Sequence, residues 1–468
     1  MLDFTALSDK AILLKEFFEK SDISFCDLTV GVKFMWREDY KIDYAIKDGV
    51  LYLKETTKDY KDFFYYPISV NGKKIGEALY ELQEYCKEKG VPLNFCCIDN
   101  PTVAYLSTLY PNLEVYNDRD WNDYIYEAEK FKTFSGKKFS GQRNHVNKFK
   151  KSYPNYQVKV INKEDFSKIF LMLDEFEKEQ DFSLWSAESE RRKIKEFVKN
   201  SLLLGQIGIA VYIDGKVVAF SIGEKVKDTL IVHVEKALRE YDGIYPFVAS
   251  EFVKAFADEK IKYLNREEDC GDNGLRISKL QYRPIEIKQK NFVKVKKLSD
   301  LFVFESVQLS ERLSVSEITE KDKEDYAEIY LDEQLNAMWG YDYKQNLGNA
   351  KPTPDYFFQF QKALKDKKEE FSLALRLDGK MIGELVYHNF DFYGGVEIGF
   401  RVKRDYQRKG YANQGVEFLI DYAIKTLKAK KVKAKCYHDN TPSMNLLKKQ
   451  GFSLCGQDQT YYYFEIIK

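Results

Sequence analysis

Residues 396–413 read Val396-Glu-Ile-Gly-Phe-Arg-Val-Lys-Arg-Asp-Tyr-Gln-Arg-Lys-Gly-Tyr-Ala-Asn413. The alternation from Glu397 to Val402 predicts a strand, and the apolar pattern from Asn413 to Leu427 predicts an amphipathic helix. The turn between them contains Gly410, which lets the backbone approach another group closely because glycine has no Cβ. The N–H groups and the dipole of the helix favour an anion there, so the stretch predicts a pyrophosphate site.

Positively charged side chains surround this turn. Arg404, Arg408 and Lys409 add formal charge that suits a pyrophosphate. The core Gln407-Arg-Lys-Gly-Tyr-Ala412 resembles the pyrophosphate loop, Q/R-x-x-G-x-G/A, of the GNAT acyl-CoA N-acyltransferases. The resemblance implies a domain that takes acetyl-CoA as its acyl-donor substrate. The alternative is a solvated basic turn before an ordinary surface helix.

Two further motifs extend the resemblance over residues 310–468. Glu397-Ile-Gly-Phe400 resembles the fourth strand of the GNAT subgroup that acetylates ribosomal-protein N-termini and related amines. Asn440-Thr-Pro-Ser443, followed by Lys448-Lys-Gln-Gly-Phe452, resembles the N-x-x-S … K-x-G-F signature of that subgroup. Asn440 before Pro442 also suits the N-cap of a helix, and the two roles are compatible. The resemblance implies acyl-CoA contacts from Phe400, Val402, Gln407, Arg408, Lys409, Gly410, Tyr411, Ala412, Asn440 and Ser443.

The resemblance also implies direct attack of a neutral amine on a thioester, so an ammonium must first lose a proton to a base. Glu397, at the Glu-Ile-Gly position, and Glu384 are the catalytic candidates, with His388 as a third. Each glutamate could instead be an outward-facing strand residue. Leu447 stands where many GNAT enzymes have a tyrosine general acid. The acceptor is expected to be a small-molecule or peptide amine, covered by residues 330–360 with their aromatic residues Trp339, Tyr341, Tyr343, Tyr356, Phe357 and Phe358.

Composition limits the other functions open to this chain. The 468 residues carry a net charge of +0, so any nucleic-acid partner needs a local basic patch. The seven cysteines have no paired C-x-x-C spacing, which favours a reducing, cytoplasmic location. Four scattered histidines predict no metal site. No apolar run is long enough to predict a membrane span, and the N-terminus lacks the pattern of a signal peptide.

Asp-Gly turns between apolar strands recur at Asp48-Gly49, Asp214-Gly215 and Asp378-Gly379, separated by 166 and 164 residues. Each predicts a hairpin with a type I′ turn, and a strand, a helix and a strand follow in each case. We therefore predict an α+β or α/β fold with three consecutive GNAT-like units, each a mixed central sheet flanked by helices. The predicted boundaries are 1–128 and 129–290 for the first two units, 291–312 for a linker, and 313–468 for the acetyl-CoA-binding unit.

The first 295 residues carry a second resemblance in two motifs. These are Phe134-Ser-Gly-Lys-Lys-Phe-Ser-Gly-Gln-Arg-Asn-His-Val-Asn-Lys-Phe149 and Leu264-Asn-Arg-Glu-Glu-Asp-Cys-Gly-Asp-Asn-Gly-Leu-Arg-Ile-Ser-Lys-Leu-Gln-Tyr-Arg-Pro284. Both resemble the C-terminal domain of aminoacyl-phosphatidylglycerol synthases, a tandem of two GNAT-like folds akin to the Fem-type aminoacyl-tRNA-dependent transferases. The candidate site residues of this tandem are Arg143, His145, Glu267, Asp269 and Lys279. The acidic cluster could serve as a base, or it could cap a helix and pair with nearby cations.

The second unit has no good CoA loop, because Glu240 and Asp242 would repel a pyrophosphate beside Gly243. An aminoacyl-tRNA donor would fit that loss. Residues 130–151 offer a tRNA contact, since they contain eight Lys or Arg, no acid and four interleaved Phe. The alternative is a solvated basic helix face with a buried Phe face. Three hypotheses follow: an acetyl-CoA N-acetyltransferase, an aminoacyl-tRNA-dependent transferase, and a non-catalytic acyl-CoA sensor.

Overall fold

Three Asp-Gly hairpins organise the chain as the sequence predicts. Both residues of each turn have positive φ, for example +49° at Asp378 and +85° at Gly379. The residues that flank each turn are direct cross-strand partners, as Leu377 and Lys380 are. Two successive positive φ angles define the type I′ turn, whose twist matches that of the strands it joins. The three predicted hairpins are therefore confirmed.

The computed structural model describes residues 2–57, 61–178, 185–340, 342–348 and 351–468. The chain divides into two units, one made of residues 1–104 and 115–294 and the other of residues 105–114 and 295–468. The first unit holds two mixed sheets and the second holds one. This agrees with the predicted fold class of three mixed sheets flanked by helices.

The first sheet is built mainly from the N-terminal residues. Its strands β3 and β6 carry fully buried apolar side chains, such as Leu51 and Phe95, and helices flank it. Strands β4 and β6 pair in parallel, joined through the long helix α3. The strands are β1 (Thr5–Ala6), β2 (Asp43–Lys47), β3 (Val50–Thr56), β4 (Asp62–Phe64), β5 (Ile68–Ser69), β6 (Asn94–Ile98) and β7 (Leu113–Asn117), and the helices are α1 (Lys15–Lys20), α2 (Val30–Trp36), α3 (Ile75–Lys89) and α4 (Asn100–Leu109).

The second sheet runs in the order β14-β8-β13-β12-β11-β10-β9. Among the described elements, helix α9 joins the parallel strands β12 and β13, as α3 joins β4 and β6 in the first sheet. The strands are β8 (Asp123–Glu127), β9 (Gln157–Val160), β10 (Ile207–Ile213), β11 (Lys216–Val226), β12 (Thr229–Ala237), β13 (Tyr263–Asn265) and β14 (Glu286–Lys288), and the helices are α5 (Ala128–Thr133), α6 (Ser140–Ser152), α7 (Phe166–Lys178), α8 (Trp185–Asn200), α9 (Ile244–Phe256) and α10 (Asn273–Gln281).

The chain then returns to the first sheet. Strand β15 (Asn291–Val295) pairs antiparallel with β6, and it buries Val293 and Val295. These residues lie at the start of the predicted linker, while β8 in the second sheet lies before the predicted boundary at residue 128. The alternating apolar side chains of β15 are buried because the strand is part of a sheet. An exposed linker would leave them in contact with water. The first sheet therefore extends to residue 295 in its backbone pairing, and the division into three folding units stays a prediction.

The third sheet positions the candidate active site. Strands β20 and β21 are parallel and joined through helix α15, while α11 packs near β19 and α14 near β18. Leu385 faces α15 and its neighbour Glu384 faces α11, so these helices cover opposite faces. The strands are β16 (Val307–Gln308), β17 (Leu313–Glu317), β18 (Glu370–Leu377), β19 (Lys380–His388), β20 (Gly395–Val402), β21 (Lys431–Tyr437), β22 (Ser453–Gln457) and β23 (Tyr461–Ile467), and the helices are α11 (Lys323–Leu331), α12 (Glu333–Asn336), α13 (Lys344–Leu347), α14 (Pro354–Asp366), α15 (Tyr411–Asp421), which continues into a π-helical turn (Tyr422–Thr426), and α16 (Thr441–Lys449).

Candidate active site

Helix α15 begins at an open glycine. Gly410 is its N-cap, with a φ of +82° that glycine adopts at little cost, and a Cβ built there would meet no atom within 4 Å. The first backbone N–H groups of a helix have no carbonyl partners within it, so they are available to a ligand. The open space and the free donors fit the pyrophosphate of an acyl-CoA.

The corresponding glycine of the second sheet is closed. Gly243 begins α9 with a φ of +81°, but a Cβ there would lie 2.1 Å from the carbonyl oxygen of His145. Asp242, just before it, forms an ion pair with Lys148 of α6. Helix α6 therefore fills the space that a pyrophosphate would need, which agrees with the sequence argument against CoA binding at this unit.

A cleft of about 1040 Å³ lies beside the start of α15. Strand β20, the start of α15 and the start of α16 line it, and α12 and α14 contribute residues on the other side. Lys409 does not line it, and its ammonium donates to the carbonyl of Asp405 at 2.8 Å. The other residues predicted to bind acyl-CoA line the cleft: Phe400, Val402, Gln407, Arg408, Gly410, Tyr411, Ala412, Asn440 and Ser443.

Two of these residues also hold the backbone around the cleft. Gln407 donates through Nε2 to the carbonyl of Val402 at 2.9 Å, which fixes the turn against the strand. Asn440 accepts through Oδ1 from the N–H of Ser443 at 3.2 Å and so caps α16. The capping role predicted for Asn440 is confirmed, and it leaves both residues on the cleft wall.

Three side chains form a row across neighbouring strands at the opposite end of β20. Glu370 is the direct partner of His388, and His388 is the direct partner of Glu397, so all three lie on one face of the sheet and line the cleft. Nε2 of His388 lies 3.7 Å from Oε1 of Glu397, while Oε2 of Glu397 accepts from the Asn389 amide at 2.9 Å. Lys435 Nζ lies 3.7 Å from the same Oε1.

Burial perturbs the protonation of two members of this row. It lowers the pKa of His388, against the attraction of Glu397, so the imidazole is neutral at neutral pH. Burial and the Glu384 carboxylate raise the pKa of Glu370 to about 7, against the attraction of Arg401. The row therefore offers proton acceptors at neutral pH beside the strand that would hold the thioester.

The second predicted base, Glu384, lies beneath the cleft and does not line it. It is fully buried and accepts from Nε of Arg401 at 2.7 Å and from the Tyr326 hydroxyl at 2.7 Å. The guanidinium of Arg401 lies over the rings of Tyr330 and Trp339, at 4.1 Å and 4.4 Å from their centroids. One oxygen of Glu384 thus holds Arg401 and the other is held by Tyr326, which makes Glu384 a positioning residue.

The aromatic segment predicted to cover the acceptor divides into lining and core residues. Tyr330, Trp339 and Phe360 line the cleft. Phe357 and Phe358 are buried in a cluster with α11, where Tyr343 and Tyr356 pack against them. Tyr341 lies outside the described residues. Leu447 is fully buried in the core, so this position supplies no proton donor.

The tandem brings only some of its predicted site residues together. Glu267 lies 2.7 Å from Nδ1 of His233, whose Nε2 lies 2.9 Å from Glu224. Burial lowers the pKa of His233, but the two carboxylates outweigh this and raise it to about 9, so the ring is an imidazolium. Burial raises the pKa of Glu267 to about 7, while the pKa of Glu224 is lowered despite its burial by the contact with His233. The Nζ atom of Lys279 donates to the backbone carbonyls of Arg266 and Glu268 beside this group.

The remaining predicted residues of the tandem have structural partners. Asp269 is fully buried and receives hydrogen bonds from Arg119, Arg276 and the Tyr124 hydroxyl. Burial raises its pKa, but the hydrogen bonds from Arg276 and Tyr124 outweigh this and hold the pKa well below the usual range. Arg143 donates to the carbonyls of Phe134 and Gly136, and His145 points its ring towards Asp242. No contact of the described residues joins Arg143 or His145 to Glu267.

A second buried ionic group lies beside the first. The ammonium of Lys290 lies 2.5 Å from Asp27, 2.6 Å from Asp123 and 3.3 Å from Glu268, and it is 3.2 Å from the sulfur of Cys26. Cys26, Asp27 and Asp123 lie close enough to one another to share a metal ion. The Lys290 ammonium stands among them and supplies positive charge to this group.

The basic segment 130–151 forms an exposed face over a buried aromatic one. Phe131, Phe134, Phe139 and Phe149 are buried, while Lys130, Lys137, Lys138, Lys148 and Lys151 are exposed on α5, α6 and the turn between them. The core interpretation of the aromatic residues is confirmed. Lys148 is paired with Asp242, and the exposed Lys130, Lys137, Lys138 and Lys151 could contact an anionic partner.

Sequence reasoning missed Glu370 and Arg401 in the third sheet and His233 and Lys290 in the tandem. Glu384 and Arg401 face each other across β19 and β20, and the segment that joins these two strands contains no Asp-Gly turn from which the pairing could be counted. No sequence pattern joins Lys290 to Cys26 and Asp123, because these residues meet only through strand pairing between distant segments.

Sequence comparisons agree with the two-part organisation. Residues 20–293 match the family described as "Phosphatidylglycerol lysyltransferase, C-terminal", and residues 312–453 match the family described as "Acetyltransferase (GNAT) domain". The first match covers more than half of the chain. Within the described residues, none of the helices combines the length and hydropathy needed to cross a bilayer.

Individual relatives cover different parts of the chain. A crystal structure of a conserved protein of unknown function from Bacteroides thetaiotaomicron is 30% identical, with a TM-score of 0.58, and covers 63% of this chain and 100% of its own. "Uncharacterized N-acetyltransferase YnaD" of Bacillus subtilis is 31% identical over 86 residues, which are 18% of this chain and 51% of that protein. A Mycoplasmoides gallisepticum protein, MYCGA3080, is 26% identical over 190 residues, 39% of this chain and 59% of its own. This chain thus spans about half the length of the first of its curated relatives.

Proposed function

The chain belongs to the family of phosphatidylglycerol lysyltransferase C-terminal domains and carries a GNAT acetyltransferase domain after it, and from this we propose that it transfers an acetyl group from acetyl-CoA to a primary amine. The supporting observation is the cleft that joins the open Gly410 at the start of α15 to the Glu370–His388–Glu397 row. One end suits an anionic donor and the other offers proton acceptors.

The donor would lie along β20 and the start of α15. Backbone N–H groups at the helix start would receive the pyrophosphate, with Arg408 exposed beside them. The backbone of Phe400 and Val402 would hydrogen-bond the pantetheine, and Asn440 and Ser443 would lie near the thiol. Residues on two strands and two helix starts would thus hold the thioester in a fixed orientation.

The chemistry needs one proton acceptor and no covalent intermediate. Glu397 accepts a proton from the acceptor ammonium, either directly or through water, and the neutral nitrogen attacks the thioester carbonyl carbon. The new C–N bond forms, the C–S bond breaks and CoA leaves as a thiolate. The nitrogen then releases its second proton, which balances the protonation of the thiolate, and the products are an amide and CoA.

The test is acetyl-CoA turnover by the full chain against a panel of primary amines, with Gly410→Glu and Gly379→Glu variants. Gly379 has a similar φ of +85° and equally open surroundings, but it lies in the third hairpin turn outside the cleft. We expect calorimetric binding of acetyl-CoA to the wild type and to Gly379→Glu, and at least about tenfold weaker binding to Gly410→Glu because a carboxylate would repel the pyrophosphate.

Two results would count against this proposal in different ways. Equal acetyl-CoA binding by Gly410→Glu and the wild type would remove the donor site from α15. Tight binding without turnover of any amine would favour the alternative of a non-catalytic acyl-CoA sensor.

A second candidate function concerns the tandem. The exposed lysines of α5 and α6 support a tRNA contact, and an aminoacyl-tRNA would then serve as the donor of an aminoacyl transfer. Reversing charge in a Lys137→Glu/Lys138→Glu/Lys151→Glu variant should weaken tRNA binding and reduce its salt dependence. A matched variant at the exposed Lys87, Lys89 and Lys260 should leave binding unchanged. Equal binding by both variants would exclude this face.

The acceptor and the cellular location remain part of the proposal. A small-molecule or peptide amine fits the cleft, and the odd number of cysteines without paired spacing favours the cytoplasm.

A further inference from the structure

The acceptor end of the cleft contains an uncompensated carboxylate. Glu370 lines the cleft, and within the described residues its hydrogen bond is with the Ser372 hydroxyl, 3.3 Å away. No Lys, Arg or His side chain in the described ranges forms an ion pair with it. Arg401, the cation that attracts it, is already paired with Glu384 at 2.7 Å.

Glu370 is separated from the proposed base by a fixed distance along the sheet. Glu370, His388 and Glu397 occupy successive strands on the same face, so Glu370 and Glu397 are two strand spacings apart. Two spacings amount to about 10 Å. An extended ligand could therefore contact both carboxylates at once.

Apolar residues form the part of the cleft wall next to this row. On the sheet, Val386 and Gly399 form the next row, and Trp339 lies close above Gly399. Leu335, Phe360 and Leu364 line the cleft from the helices. Between the two carboxylates stands His388, whose imidazole is neutral, and this ring with the apolar row beside it suits a methylene chain with a positive charge at each end.

We propose that the acceptor is an amine that carries a second positive charge about 10 Å from the reacting nitrogen, across an apolar spacer, and that Glu370 binds this second charge. This inference rests on the proposed acetyltransferase function of the same cleft. Glu370 is then a specificity-determining residue, and Glu397 with His388 serves the reacting amine.

The physical reason is the cost of leaving the half-buried Glu370 without a cation once a ligand covers it. Burial raises the pKa of Glu370 to about 7. A bound ammonium would supply a positive charge beside this carboxylate and so stabilise its ionised form. A monoamine of the same length leaves the carboxylate unpaired in the occupied cleft. The diamine is therefore favoured by the difference in free energy between a paired and an unpaired carboxylate in the occupied cleft.

The test compares hexamethylenediamine with hexylamine, using the full chain and acetyl-CoA. We expect the wild type to favour the diamine in kcat/KM by about 10-fold to 100-fold, which is the range for a charged hydrogen bond, mainly through KM. In Glu370→Gln this ratio should fall to near one. Glu369→Gln is the matched control, because Glu369 is the exposed neighbour, and it should keep the wild-type ratio.

A second variant guards against a folding defect in Glu370→Gln. Glu370→Asp keeps the negative charge on a side chain that is shorter by one methylene. The preferred α,ω-diamine should therefore become longer by one carbon. An unchanged length optimum would overturn the assignment of Glu370. A wild-type ratio near one, or a diamine preference that survives Glu370→Gln, would overturn it as well.

Binding measurements separate this inference from the proposed function. Calorimetric titration of both amines into the CoA-saturated protein reports the Glu370 contact without turnover. Selective diamine binding that is lost in Glu370→Gln, in an enzyme that acetylates neither amine, would support the ligand class and reject the acetyltransferase. Turnover of both amines without selective binding of the diamine would support the acetyltransferase and reject the proposed ligand class.

Discussion

His388 and Glu397 face each other across β19 and β20, with Nε2 of the imidazole 3.7 Å from Oε1 of the carboxylate. The other oxygen of Glu397 is held by the Asn389 amide at 2.9 Å. One oxygen is therefore fixed while the other remains beside a neutral imidazole on the cleft wall. This pair supplies the first prediction.

Replacing Glu397 by Gln removes the proposed proton acceptor but keeps the size of the side chain. We expect kcat to fall by about 100-fold, the lower range for loss of a general base, with little change in acetyl-CoA binding. Steady-state kinetics with a fixed amine and acetyl-CoA titration measure the two effects. Glu417→Gln, on the exposed face of α15, is the control and should retain activity. Near-normal kcat in Glu397→Gln would assign the proton to His388.

Glu384→Ala should lower the free energy of unfolding more than the removal of a surface carboxylate does. It leaves Arg401 buried without its partner, and loss of one member of a buried ion pair costs about 3 kcal/mol or more. Glu317→Ala breaks a half-exposed pair with Lys365 and should cost less than about 1 kcal/mol. Scanning calorimetry of the two variants should show a clear difference in the transition of the third sheet. Equal transitions would contradict the structural role of Glu384.

Lys290→Ala should destabilise the tandem because it leaves two neighbouring carboxylates without their cation. Without the ammonium, Asp27 and Asp123 lie close together in a buried site and repel each other. We expect a loss of about 3 kcal/mol, as for other broken buried pairs. Lys262→Ala removes a surface lysine 3.6 Å from Asp228 and should change stability by less than about 1 kcal/mol. A Lys290→Ala protein as stable as this control would mean that other cations neutralise the group.

His233 should make the stability of the tandem fall at alkaline pH. Its pKa is raised from 6.5 to about 9 in the folded chain, because the attraction of Glu224 and Glu267 exceeds the effect of burial. A raised folded pKa gives stabilisation that is complete below about 6.5 and is lost as the pH rises through about 9. Thermal unfolding across this window measures the slope.

The control for this pH effect is a pair of histidine variants. His233→Gln should remove the part of the slope that arises between pH 6.5 and about 9. His438→Gln changes an exposed ring and should leave the slope as in the wild type. Parallel curves for His233→Gln and the wild type would show that the imidazolium does not control this transition.

The hairpins and the glycine at the start of α15 were predictable because their signals are local. Asp-Gly favours a type I′ turn, and a strand, a glycine and a helix in succession predict the glycine N-cap of α15. Glu370 was not predictable in this way. In a regular hairpin around the third turn, Glu370 would pair with Tyr387. The side chain of Glu370 would then lie on the same face as Tyr387, opposite to the face that carries His388. A bulge near Leu375 and Arg376 shifts the register by one residue and brings Glu370 opposite His388.

The ionic groups of the tandem required information of another kind. Lys290 follows β14 in the sequence and meets Cys26 and Asp123 only when the strands around it are paired. Charged residues in the sequence suggest exposure, since an isolated buried charge is costly. Their burial here depends on mutual pairing across long separations, which no local pattern records.

Strand β15 has a consequence for how this protein is synthesised. A chain that leaves the ribosome from its N-terminus presents β6 at once, but the strand that pairs with it appears only after the whole second sheet has been translated. Until then the polar backbone groups along one edge of β6 have no strand to pair with. The first sheet can therefore be completed only after the second has emerged, so the order of folding differs from the order of synthesis.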